Sequence, residues 1–137
     1  MSFTVRDFKL EDLPRIKEIH EASGLDYRLP DLRSPLFLVT KVVESNGEVK
    51  AAAGAYLQVE LYLWLDHTWS TPKERFEAIY SLDVAGMGDL WLKGIECACL
   101  WLPPELKRFE KRLAALGFMK DRDGWQTFSK SVLPKLY

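Results

Sequence analysis

The sequence predicts an α/β fold: one domain built on a mixed, largely antiparallel sheet flanked by helices. Three observations predict it. The chain has 137 residues, close to the ~100–150 of a typical domain and long enough to bury a single core. Short runs of alternating apolar and polar residues, one pair of them joined by a tight-turn signal, read as strands. Two well-punctuated helical patterns fall between later strand-like runs, which is the order expected of crossover helices.

Composition narrows the class. Apolar residues make up 47%, charged residues 28% and aromatic residues 12%, the profile of a globular protein. Nineteen basic and twenty acidic side chains leave a net charge of −1, so no global field draws the chain to nucleic acid or to an anionic membrane. There is no run of ~20 apolar residues and no signal-peptide core in Met1–Asp7. A soluble, cytoplasmic protein is expected.

Taken in order, Phe3–Phe8 alternates and forms the first strand. A helix follows from Glu11-Asp12-Leu13-Pro14, with Leu13, Ile16, Ile19 and His20 at helical spacing and Gly24 as its stop. His20 falls at the edge of the apolar face, a packing or surface position. Leu25–Pro35 mixes prolines with Asp26, Tyr27, Arg28, Asp31 and Arg33 and reads as a loop or a short helical turn over a cleft, its charge beside Tyr27 suiting either substrate contact or plain solubility. Leu36–Glu44 and Glu48–Tyr56 form a hairpin around Ser45-Asn46-Gly47. Its second arm carries Ala51-Ala52-Ala53-Gly54-Ala55, where small side chains permit close approach.

Val59–Leu65 alternates apolar and polar and is expected to be the central strand. After Asp66–Ser70, Thr71-Pro72-Lys73-Glu74 opens a helix: Thr71 is placed to cap it, Pro72 suits its first position, and Glu74 completes a capping box. Gly86-Met87-Gly88 interrupts the apolar pattern, so a kink, a break or a close contact is expected there. Ile95–Leu102 is the next strand. It carries Cys97 and Cys99 on one face, read as buried free thiols because neighbours two apart on a strand seldom meet disulfide geometry and no further Cys or His follows to complete a metal site. Pro103-Pro104-Glu105 starts an amphipathic helix ending at Gly117, and Phe118–Lys120 with Trp125–Val132 read as a final hairpin.

In this order of elements, in Val5-Arg6-Asp7-Phe8 followed by Asp12-Leu13-Pro14, and in the late helix ending in Gly117-Phe118, the chain resembles the GNAT superfamily of N-acyltransferases. The resemblance spans nearly the whole chain. It implies a sheet that splays between its fourth and fifth strands, with acetyl-CoA as co-substrate wedged in the gap and its pyrophosphate on the N-terminus of the following helix. The implied cofactor contacts are Leu65, Ser70, Thr71, Lys73 and Arg75. The implied partners are an acyl-CoA and a small amine or peptide acceptor, with neither nucleic acid nor membrane.

Two motifs depart from that pattern. The family's Gln/Arg-x-x-Gly-x-Gly/Ala loop is replaced by Ser70-Thr71-Pro72-Lys73-Glu74-Arg75, without glycine and with one amide donor removed by Pro72. Lys73 and Arg75 offer charge in its place. The tyrosine that many members carry four residues before Gly-Phe is Leu113 here. For a base the central strand offers Glu60, on one face with Tyr62, Trp64 and Asp66, while His67 lies at the strand end. Glu60, Asp66 and His67 are therefore the candidate catalytic residues. Three readings stand: an atypical acyltransferase, a catalytically inactive ligand-binding or regulatory protein of the same fold, or an interaction protein, possible as a homodimer, in which some of Trp64, Trp69, Trp91, Trp101 and Trp125 form an interface.

Overall fold

A computed structural model describes residues 2–120, 128, 130 and 132. The chain divides into two compact units, Met1–Trp101 and Leu102–Tyr137.

In the first unit, β1 (Thr4–Asp7) leads through a 3-10 turn at Leu10–Asp12 into α1 (Leu13–Ala22). A loop then runs to β2 (Phe37–Ser45), which turns into β3 (Glu48–Tyr56). The three strands form one antiparallel sheet in the order β1-β2-β3, with Arg6 opposite Val42 and Ser45 opposite Glu48. Between the last pair, Asn46 and Gly47 have φ of 53° and 73°. Both central residues are left-handed, the two-residue turn whose twist matches the flanking strands. The predicted hairpin forms, its second arm as expected and its first shifted by one residue, Phe37–Ser45 in place of Leu36–Glu44.

One face of this sheet is covered by α1. Ile16 packs with Val42 and Val49, and Phe8, Ile19, Leu29 and Leu32 close around them. Arg6 fastens the entry to α1: its guanidinium grips both oxygens of Asp12 at 2.8 Å and also reaches Glu44. At the other end of the helix, His20 Nε2 meets the Tyr27 carbonyl at 2.8 Å, and the two rings meet edge to face with centroids 4.8 Å apart. His20 thus ties the loop that follows α1 to the helix end.

Beyond β3 the structure departs from expectation. The central strand is ladder-bonded only as β4 (Val59–Glu60), and the strand at Ile95–Leu102 only as β5 (Ala98–Cys99). These two pair with each other in parallel, Val59 opposite Ala98 and Glu60 opposite Cys99, as a sheet separate from β1-β2-β3. One further bond, Leu61 N–H to the Cys99 carbonyl at 2.7 Å, follows before the ladder ends. The alternation seen in the sequence reports an extended backbone, and extension persists without a neighbouring strand. Strand pairing needs a partner that the sequence alone does not name.

The connection between β4 and β5 is α2 (Pro72–Leu92). Thr71 Oγ1 accepts from the Glu74 N–H at 3.2 Å, half of the predicted capping box. At the other end Gly94, φ 78°, donates to the Trp91 carbonyl and Ile95 to the Leu90 carbonyl, a Schellman closure that requires a left-handed residue. Against expectation, Gly86 and Gly88 neither break α2 nor make a close contact, since a Cβ at either would meet nothing within 4 Å. A helix of 21 residues closed at both ends absorbs the ~2 kcal/mol that two glycines cost.

Cys97 and Cys99 are free, as expected, but Cys97 is exposed and Cys99 only half-buried. A two-residue strand offers no covered face in which to bury them.

In the second unit, Pro104–Phe109 is a 3-10 helix, irregular at Leu106, continued by α3 (Glu110–Ala115). The helix ends as predicted, with Leu116 as its cap and Gly117 following at φ 91°. Phe118–Lys120 joins no strand, and all but Phe128, Lys130 and Val132 of the expected strand Trp125–Val132 lies outside the described residues. The fold is mixed α/β. Among the described residues no helix is long and apolar enough to cross a membrane.

Candidate functional site

The candidate residues sit on the path from β4 to the first turn of α2. Glu60 closes β4 with its side chain exposed. Two residues on, the neighbouring Glu60 carboxylate is the main reason the Tyr62 pKa rises above the usual tyrosine value. Tyr62 and Trp64 then stack, ring centroids 5.8 Å apart and planes 10° from parallel. That contact is what an extended chain with side chains alternating between two faces produces. Leu61 and Leu65, on the other parity, are half-buried.

Asp66 ends the extended stretch and begins a turn. Its Oδ1 accepts from the Thr68 N–H at 2.9 Å and the Thr68 hydroxyl at 2.7 Å, and Trp69 N–H reaches back to its carbonyl at 3.2 Å. This is an Asx turn, in which a carboxylate replaces a backbone acceptor. The Thr68 hydroxyl, then the Thr68 amide, hold the Asp66 carboxyl below the usual carboxylate range. A base so weakened is poorly matched to removing a proton near neutrality. His67 projects from the same turn and is exposed.

Ser70 takes a left-handed φ of 56° just before the Thr71 cap. Arg75 braces this bend from inside the helix, its Nη1 donating to the carbonyls of Trp69 and Ser70, each at 2.8 Å. Lys73 is 86% exposed at its side chain and only loosely paired with Glu77, at 3.9 Å.

The helix N-terminus therefore has few amides left for an anion. Pro72 has none, Glu74 gives its own to Thr71, and Arg75 N–H makes the first intrahelical bond. What stays available is the Lys73 amide and ammonium, with the Nε and Nη2 face of Arg75. A phosphate would be held here by side-chain charge rather than by a glycine-lined backbone nest.

The structure thus divides the three candidate bases. Glu60 belongs to the aromatic pair, whereas Asp66 and His67 belong to the turn that positions Ser70, Thr71 and Arg75. Beside them stands a pairing that sequence reasoning did not find. The Tyr56 hydroxyl donates to Glu96 at 3.0 Å, and Cys97 faces Gln58 at 3.8 Å. Both depend on the parallel register of β4 and β5, for which a single sequence carries no signal. Among the described residues, no group of three His, Cys, Asp or Glu side chains is placed to hold a metal ion.

What these elements define is a mixed α/β protein whose parallel β4–α2–β5 crossover carries a carboxylate, an aromatic pair and a braced helix start. No model of a known protein family matches the chain, and no curated protein is significantly similar to it.

Proposed function

We propose that the protein is an N-acyltransferase of the GNAT type that binds an acyl-CoA between β4 and β5 and transfers the acyl group to a primary amine of a small molecule or peptide. The observation that carries this reading is the parallel β4–β5 pair, joined by α2 and ladder-bonded over two residue pairs. Parallel neighbours that part after so short a ladder leave unpaired backbone beside the start of α2, where a thioester can lie along the chain.

In this reading the acyl-CoA is a substrate, and Lys73 with the outer face of Arg75 answers its phosphates. Glu60 is the base. An ammonium gives one proton to Glu60, and the freed nitrogen lone pair bonds to the thioester carbonyl carbon. The C–S bond then breaks with its electron pair going to sulfur. The second nitrogen proton ends on the thiolate, giving amide, free thiol and one proton released through Glu60. Solvent relays the proton to the thiolate.

Thermal unfolding with and without acetyl-CoA tests the binding step, with ATP as the control for adenine nucleotides. Ligand at a hundred times its Kd adds about 2.7 kcal/mol, a rise of several degrees for a domain of this size. No rise at millimolar acetyl-CoA refutes the proposal. Glu60→Gln tests the base, and undiminished turnover removes it from that role. Binding without turnover for any amine favours the inactive, ligand-binding reading, which the commitment of Asp66 to the turn also supports.

A further inference from the structure

Along one side α2 buries Ile79 and half-buries Phe76, Gly86 and Leu90. The neighbouring side carries a second apolar stripe. Tyr80, Val84, Met87 and Trp91 follow one another at intervals of four, three and four residues, the spacing of the a and d positions of a helical seam. Tyr80 is 54%, Val84 55% and Trp91 74% exposed, with Met87 half-buried between them. Single exposed apolar residues are ordinary on a surface, but an aligned row of them marks a place of association.

The flank of this stripe admits a close neighbour. Ser81 and Gly88, one position beyond Tyr80 and Met87, line it with small groups. The Ser81 hydroxyl donates back to the Glu77 carbonyl at 3.0 Å, and a Cβ at Gly88 would meet nothing within 4 Å. Neither holds a second helix away from the 8–10 Å axial separation at which helices pack.

Charge selects the occupant and its direction. A second copy laid parallel sets like against like where the seam runs on towards the N-terminus, Glu77 facing Glu77 and Lys73 facing Lys73. A copy turned antiparallel about the point between Ala85 and Gly86 sets Tyr80 against Trp91 and Val84 against Met87, twice over. It also carries Glu77 to the end of the opposite helix, where the exposed Lys93 is the cap residue. The stripe is thus its own complement, as an interface with two-fold symmetry requires.

We propose that two copies of this chain pair antiparallel through α2, with Tyr80, Val84, Met87 and Trp91 at the centre of the contact. The exposed parts of Tyr80 and Trp91 supply on the order of 300 Å² per copy. With Val84 and Met87 the contact stays below the ~800 Å² per partner of a standard interface, so a micromolar dimer is expected. This pairing does not depend on the acyl transfer proposed above.

Sedimentation of the full chain from about 1 to about 200 μM, a range that brackets a micromolar Kd, tests the pairing. The parent is expected to pass from monomer to dimer. Val84→Glu sets a charge in the seam and should stay monomeric throughout with the circular dichroism of the parent, since glutamate is the better helix former. Trp91→Ser repeats the test at the most exposed residue of the stripe and decides it if Val84→Glu perturbs the fold. Glu77→Lys should weaken the dimer about fivefold, and adding Lys93→Glu should restore it. A parent that is monomeric at the top of the range overturns the proposal. So does a dimer that both seam variants leave intact, which would place the interface on another surface such as Trp64. A dimer that Glu77→Lys does not weaken, or that Lys93→Glu does not restore, overturns the antiparallel arrangement.

Discussion

Replacing Asp12 with Asn tests the account of how β1 is fastened to α1. Asp12 is 7% exposed. Its Oδ1 accepts from Arg6 Nη2, and its Oδ2 accepts from both Arg6 Nη1 and the Lys9 N–H, all at 2.8 Å. Asparagine keeps one oxygen but turns an NH2 towards one of those donors. One charge-assisted hydrogen bond is lost and a donor faces a donor, at a cost of about 2 kcal/mol. The Arg6 side chain is 26% exposed, so solvent screening holds the cost below that of a fully buried pair. For a chain of this length that is a fall of roughly 8 °C in unfolding temperature. The pH dependence gives a second reading. The Arg6 guanidinium, more than the Lys9 amide, lowers the Asp12 carboxyl from an ordinary 3.8 to about 2. Because the folded value lies below the unfolded one, the stabilisation is complete above about pH 4 and is lost as pH falls through 2. Thermal melts of parent and Asp12→Asn between pH 7 and pH 2 should therefore converge at the acid end. Curves that stay parallel, or an Asp12→Asn protein as stable as its parent at pH 7, refute the role given to this carboxylate.

Two further substitutions probe α2 by urea unfolding. Thr71→Ala removes the acceptor for Glu74 N–H and should cost about 1 kcal/mol; an unchanged midpoint would show that the cap carries no load. Gly86→Ala meets open space and should raise stability by about 0.5–1 kcal/mol, because alanine loses less backbone freedom in a helix. A loss of stability would mean that another surface approaches Gly86.

The sequence exposed the first half of the fold because its signals there are local. Asn46-Gly47 dictates a turn, Pro14 and Gly24 bracket a helix, and alternating residues on either side of the turn place Val42 and Val49 on the covered face. Thr71 and Pro72 likewise set the start of α2, whereas its closure at Gly94 is a signal the sequence reading did not use. The second half rests on partners. Val59–Leu65 looks like a strand in isolation, but how much becomes ladder depends on which segment lies alongside, and among the described residues its ladder partners are Ala98 and Cys99. The candidate site divides in the same way. That Glu60, Tyr62 and Trp64 share a face follows from parity alone. That Asp66 and Arg75 are committed to holding a bend does not, because a carboxylate and a guanidinium look the same in sequence whether they meet a ligand or their own backbone. Arg75 is the telling case: its charge fits an anion site, yet two of its hydrogen bonds go to the carbonyls of Trp69 and Ser70. Those bonds hold the left-handed bend at Ser70, which brings the first turn of α2 up to the end of the extended chain. Arg75 therefore shapes the entrance to any anion site with one edge of its guanidinium and faces the anion only with the other.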